Sequence, residues 1–132
     1  MKLSIYVNYK EKCREAFDFY EKNLGGKITS SMTFGEMPGA GPIANGREDK
    51  IIHARMEIGG TTLMGADIPH AEPMRSAYLA LNFDSVAEAE RVYGLLAEGG
   101  EIFVAIQQTA FAARYAMLRD RFGTSWMLLC QE

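Results

Sequence analysis

The sequence predicts an α+β fold made of two βαβββ modules that form a curled mixed sheet. Three observations predict it: an internal repeat of strand followed by helix, a Gly-Gly pair closing each helix, and three strand-like runs after each pair. Residues 4–26 read SIYVNYKEKCREAFDFYEKNLGG, and residues 78–100 read YLALNFDSVAEAERVYGLLAEGG. The two stretches share their order of elements, with a one-residue shift late in the helices. The expectation is a single domain over 1–132, with repeats at about 1–70 and 74–132.

Each element has a local reason. In the first helix Cys13, Ala16, Phe17, Tyr20 and Leu24 recur at three- and four-residue steps and share one face. Gly25 follows as a left-handed cap. In the second helix Val86, Ala89, Tyr93 and Leu96 form the stripe, and Ser85 with Glu88 has the form of a capping box. Strand-like runs occupy 27–34, 51–58 and 61–66 after the first helix, and 101–108, about 113–119 and 125–130 after the second. The one long irregular stretch, Gly35 to Asp49, is rich in Gly and Pro. Such a loop is either a functional lid or simply mobile.

Strand parity adds the faces. Leu3, Ile5 and Val7 oppose Ser4, Tyr6 and Asn8, while Ile52, Ala54, Met56 and Ile58 oppose His53, Arg55 and Glu57. Ala77, Leu79, Leu81 and Phe83 oppose Ser76, Tyr78, Ala80 and Asn82. The apolar faces are expected to meet the helices. The mixed faces are either plain solvent surface or, if the sheet curls, the lining of a cavity.

Bulk properties exclude several classes of function. A content of 48% hydrophobic and 23% charged residues matches an ordinary globular domain. A net charge of −3 and a pI near 5.4 argue against a nucleic-acid partner, which clustered Lys and Arg would have to hold. No run approaches the roughly 20 apolar residues of a membrane helix, and the N-terminus has no cleavage signal marking it for export. Cys13 and Cys130 do not form a disulfide framework, so a reduced, cytoplasmic location is expected.

The Phe19-Tyr20 pair followed by Leu-Gly-Gly, Cys13-Arg14-Glu15-Ala16, MTFGEMP at 32–38, His53-Ala54 and the Asp120-Arg-Phe-Gly-Thr-Ser-Trp126 tail carry a family likeness. With the βαβββ repeat they resemble the vicinal-oxygen-chelate (glyoxalase/bleomycin resistance/dioxygenase) superfamily. The nearer likeness is to its PhnB-like branch, often labelled demethylubiquinone-methyltransferase-like. The sequence departs from that branch at Phe111, where Trp is usual, and at Ala116, where Gly is usual. The resemblance implies a homodimer and a cup whose lining includes His53, Arg55, Glu57 and Tyr78. The methyl-transfer label has no support in the residues, because no glycine-rich strand–loop–helix of the nucleotide-binding kind is present.

Metal-dependent members place His, Gln or Glu ligands at the opening and closing strands of each repeat. By that resemblance the equivalent positions here are Ser4, Met64, Tyr78 and Met127. Two thioethers, a hydroxyl and a phenol are poor ligands for a hard dication, so neither metal nor other cofactor is expected.

Two residues are candidates for acid–base chemistry. His53, flanked by Arg55 and Glu57, is either a catalytic group or a hydrogen-bonded histidine beside a cross-strand salt bridge. Glu36 is either a base that closes over a ligand or an exposed loop carboxylate. Tyr6, Tyr78, Phe103, Phe111 and Tyr115, with Met64 and Met127, have the composition of a small-molecule pocket, and equally that of a tight core. The ligand-binding set read from the sequence is therefore Tyr6, His53, Arg55, Glu57, Met64, Tyr78, Phe111 and Met127. The function expected is metal-free binding of a small molecule. The alternative is a lyase, isomerase or dioxygenase using His53 and Glu36, or a metal site of unrecognised ligands.

Overall fold

The structure, a computed structural model, describes residues 1–39 and 46–131. Along them run β1 (Ile5–Tyr9), α1 (Cys13–Leu24), β2 (Lys27–Thr33), β3 (Ile51–Ile58) and β4 (Thr61–Asp67). Then come β5 (Leu79–Phe83), α2 (Val86–Ala97), β6 (Glu101–Thr109), β7 (Ala112–Arg119) and β8 (Ser125–Cys130). The chain is βαβββ twice over. Its contacts divide it into two compact units, Met1–Glu72 and Pro73–Glu132. Each unit has its own open four-stranded mixed sheet, ordered β1-β4-β3-β2 and β5-β8-β7-β6. In both, the first strand runs parallel to the last, because the helix between carries the chain back over the sheet. The remaining pairs are antiparallel.

In the first unit α1 buries Cys13, Ala16, Phe17 and Tyr20, a stripe that only a 3.6-residue period produces. Gly25 takes a left-handed φ of 73° and turns its N–H back to the Tyr20 carbonyl. The sheet meets this stripe with Val7, Ala54, Met56 and Leu63, all buried. Burying a side chain of the size of Leu, Met or Phe stabilises the fold by about 1.5–3 kcal/mol. Gly65 of β4 lets the helix approach, since a Cβ there would lie 2.9 Å from the Phe17 ring and 3.1 Å from the Cys13 sulfur.

In the second unit Ser85 is extended, and its hydroxyl accepts a hydrogen bond from the Glu88 N–H at 3.1 Å, starting α2 as the sequence predicts. The Glu88 carboxylate does not complete the reciprocal box; it pairs with Arg91 at 2.6 Å. The buried stripe is Ala89, Val92 and Leu96, with Tyr93 half-buried at its margin. Trp126, Leu128, Ala116 and Leu118 face it from the sheet. β5 begins at Leu79, three residues later than parity suggests, because Ser76 is left-handed with φ 57°.

Two buried aspartates fix the chain around these layers. Asp67, 2% exposed at the end of β4, accepts the Cys13 N–H at 2.8 Å and the Ile51 N–H at 2.9 Å. One carboxylate thus joins the start of α1 to the start of β3. Asp120, 4% exposed, accepts the Phe122 N–H at 2.9 Å, the Thr124 N–H at 3.0 Å and the Trp126 Nε1–H at 2.8 Å. It closes the turn between β7 and β8 and fixes the indole. The family-like tail Asp120 to Trp126 is therefore structural.

Candidate functional site

Each sheet has one face under a helix and one face without. In the first unit the register sets the open face as a grid. Ser30 pairs with Arg55, Arg55 with Met64, and Met64 with Tyr6, giving one row across all four strands. Met32 and His53 form the neighbouring row. Tyr6 is 50% exposed, and its ring lies 6.2 Å from that of His53 at a 32° tilt. Burial, with a smaller contribution from Cys13, pushes the Tyr6 phenol above its ordinary pKa, so it stays neutral. Glu57 lies across from Lys27 and Thr62, and both its oxygens accept the Thr62 hydroxyl, at 2.8 and 3.1 Å. Of the residues expected to bind ligand, the structure thus gathers Tyr6, His53, Arg55, Glu57 and Met64 on one face.

In the second unit Met127 pairs with Ala80 on one side and Met117 on the other, and Tyr115 pairs with Leu129. Tyr78 stands just ahead of β5 with its ring edge-on to Phe103 at 6.4 Å. Phe103 is 44% exposed and carries the Arg119 guanidinium 5.3 Å from its centroid. Phe111, in the β6–β7 turn and 60% exposed, meets Tyr115 edge-on at 5.1 Å. The Tyr115 hydroxyl donates to the Met117 sulfur at 3.1 Å. This face is aromatic and thioether in character. The sequence names Tyr78, Phe111 and Met127 for this region and does not name Arg119 or Met117, which the structure places beside Phe103 and Tyr115.

Glu36 sits in the turn after β2 and is bound within it. One of its oxygens accepts the Thr33 N–H at 2.8 Å and the Thr33 hydroxyl at 3.0 Å. Those bonds hold its carboxyl below the usual carboxylate range. Among the described residues no hydrogen bond joins Glu36 to His53. The stretch Gly35–Asp49, read as either a lid or a mobile loop, falls partly on residues 40–45, which lie outside the described residues. The two ends of that stretch are zipped together, with the Phe34 N–H donating to the Lys50 carbonyl and the Gly35 N–H to that of Glu48. Arg47 fastens the returning end. It forks onto Glu11 at 2.6 and 2.7 Å, donates to the Asp67 carbonyl at 3.1 Å and lies 4.5 Å over the Phe34 ring. The pairing also stabilises Glu11 in its left-handed conformation, φ 63°.

A small groove opens on the helix side of the first sheet, between α1 and the β2–β3 pair. Cys13, Arg14, Phe17, Asp18, Ile28, Ser31, Ile51 and Ala54 line it, and its volume is about 50 Å³. Pockets for drug-sized ligands enclose roughly 300–1,000 Å³. The groove is too small for such a ligand. Cys13 beneath it is fully buried, and burial with the nearby Asp67 charge drives its thiol pKa far above neutrality.

Four residues occupy the positions that the family likeness assigns to metal ligands. Ser4 stands ahead of β1, and Met64 is across from Tyr6; Tyr78 stands ahead of β5, and Met127 is across from Ala80. None of these side chains brings a negative charge, and two are thioethers. They do not fit a hard divalent ion. Among the described residues no three His, Cys, Asp or Glu side chains gather into a metal-binding group.

A sequence profile of the Glyoxalase/Bleomycin resistance protein/Dioxygenase superfamily matches residues 6–128. The chain belongs to this superfamily. Protein YjdN of Escherichia coli (strain K12) is 31% identical over 138 residues, covering 97% of this chain and 94% of YjdN. The crystal structure of PA1353 from Pseudomonas aeruginosa is similar with a TM-score of 0.87 and 37% identity, over 99% of this chain and 98% of that one. The PhnB protein from Bacillus cereus is similar in fold, with a TM-score of 0.83 at 24% identity, over 98% of this chain and 99% of that one. The chain's fold is that of the glyoxalase superfamily, shared with the Bacillus cereus PhnB protein. No helix among the described residues is long and apolar enough to cross a membrane.

Proposed function

We propose that this PhnB-like protein is a metal-free small-molecule binding protein, and that the ligand lies against the open faces of its sheets. The observation that carries the reading is the chemistry of those faces. Tyr6, His53, Arg55 and Met64 stand uncovered by α1, and Tyr78, Phe103, Tyr115, Met117 and Met127 stand on the side away from α2. Aromatic rings and thioethers supply broad, adaptable apolar contact, and the few polar heads set orientation. Phe111 at the turn extends the second surface. Glu57 contributes least, because its carboxylate is already occupied by Thr62.

Three further points belong to the reading. The two units act as one domain, the protein assembles as a homodimer, and it works in the cytoplasm, where the buried thiols of Cys13 and Cys130 stay reduced. Catalysis through His53 and Glu36 finds less support, since Thr33 occupies the Glu36 carboxylate.

Thermal-shift screening of aromatic small molecules tests the reading, run with and without a chelator. Ligands are expected to raise the melting temperature equally in both conditions, following mass action. Stabilisation that depends on an added divalent ion would overturn it.

A further inference from the structure

Arg55 is a cation at the middle of a sheet face, not at its rim, since β3 is an inner strand of the order β1-β4-β3-β2. Its cross-strand neighbours are Ser30 and Met64, neither of which carries charge. The acid nearest along its own strand and face is Glu57, two residues on. That carboxylate accepts the Thr62 hydroxyl through both oxygens and stands opposite Lys27. Among the described residues the Arg55 side chain forms no ion pair or hydrogen bond; its carbonyl accepts from the Thr29 hydroxyl. Arg47, Arg91, Arg114 and Arg119, by contrast, each have an acid within 3.5 Å.

Around Arg55 the donors are arranged for an anion. The Ser30 hydroxyl lies in its row, and His53, one row along, offers a ring N–H in either protonation state. Met64 and the half-exposed Tyr6 continue the same row as an apolar floor. A guanidinium presents paired N–H groups in a plane that matches a carboxylate, sulfonate or phosphate, whereas it offers nothing particular to a neutral group. We propose that the open face of the first unit is an anion subsite, with Arg55 as its anchor and Ser30 and His53 as supporting donors. The ligand class is an aromatic or apolar molecule bearing one anionic head. The proposal rests on the binding reading above and names the chemistry of its ligand.

The probes are two dyes with the same aromatic skeleton: anilinonaphthalene sulfonate, which is anionic, and phenylnaphthylamine, which is neutral. Each is titrated by fluorescence into the wild-type protein and Arg55→Gln. A charge-assisted hydrogen bond to a charged group contributes enough to change affinity roughly tenfold or more. The expected result is that Arg55→Gln weakens the sulfonate about tenfold, leaves the neutral dye unchanged and keeps the melting temperature. Displacement of the bound sulfonate by benzoate and by phenyl phosphate then separates a carboxylate head from a phosphate head.

If both dyes bind and Arg55→Gln affects them equally, the subsite is wrong while the binding reading stands. If Arg55→Gln lowers the melting temperature and leaves the sulfonate affinity intact, Arg55 is structural and the proposal falls. If neither dye binds the wild type, the binding reading falls and takes the subsite with it.

Discussion

Replacing Asp120 with alanine removes the acceptor that three buried donors share: the Phe122 N–H, the Thr124 N–H and the Trp126 Nε1–H. A hydrogen bond to a charged group contributes about 1.5–3 kcal/mol, and a buried donor left without a partner costs a similar amount. Three such losses do not add in full, because they belong to one network and the turn relaxes as a unit. A net destabilisation of about 3–5 kcal/mol follows, a large share of the roughly 5–15 kcal/mol that holds a domain of this size. Asp120→Asn should cost less, about 1–3 kcal/mol, because its amide oxygen still accepts from the turn while its NH₂ confronts the indole N–H. Urea unfolding followed by Trp126 fluorescence measures both variants, Trp126 being the chain's single tryptophan. Near-equal stability of Asp120→Ala and the wild type, within about 1 kcal/mol, would refute the idea that this carboxylate organises the second unit.

Further outcomes follow from the same geometry. Gly65→Ala should destabilise by about 1–3 kcal/mol, since the added methyl collides with Phe17 and Cys13, whereas Gly94→Ala in α2 meets nothing within 4 Å and should gain about 0.5–1 kcal/mol; paired denaturation curves decide both. Cys13 and Cys130 should resist alkylation in the native protein and react only in denaturant, which mass spectrometry reads directly. Arg47→Ala should cost about 1 kcal/mol by breaking the partly buried pair with Glu11. That change also has a pH signature. Hydrogen bonding by Arg47 holds the Glu11 carboxyl below its ordinary value against the opposing effect of burial, and the charges of Arg47 and Lys50 lower it further. The stabilisation is therefore complete above the ordinary carboxylate range of about 4 and fades as pH falls through the lowered folded value. Melting temperature against pH should show the wild type and Arg47→Ala converging in acid; parallel curves would remove the pair from the stability account.

The elements were legible in the sequence where one period dominates. The stripe from Cys13 to Tyr20 and the alternation from Ile52 to Ile58 fix α1 and the two faces of β3 without reference to anything distant. The shared face of Tyr6, His53, Arg55 and Glu57 follows from parity within β1 and β3, whereas Met64 came from the family likeness and its place beside Tyr6 and Arg55 from the strand register. Partners far along the chain were not. Arg47 and Glu11 are 36 residues apart, and Asp67 reaches a helix 54 residues earlier, so no local pattern marks them. Asp120 left a weaker trace, an aspartate ahead of a glycine turn, which is the composition of a side-chain-closed turn. Two register shifts in β2, at Ile28/Ser30 and Met32/Thr33, were also invisible. The first of them decides that Ser30 stands in the Arg55 row while Ser31 lines the groove under α1.

The central claim is that the open faces hold an organic ligand without help from a metal. The direct measurement is a titration of phenylnaphthylamine into protein dialysed against a chelator, repeated after adding zinc, manganese or magnesium, for the wild type and for Tyr115→Ala. Saturable binding that survives chelation, ignores all three ions and weakens severalfold in Tyr115→Ala is the result the account predicts. Binding that appears only when one of the ions is restored would contradict it, and would show that the metal ligands of this chain lie outside Ser4, Met64, Tyr78 and Met127.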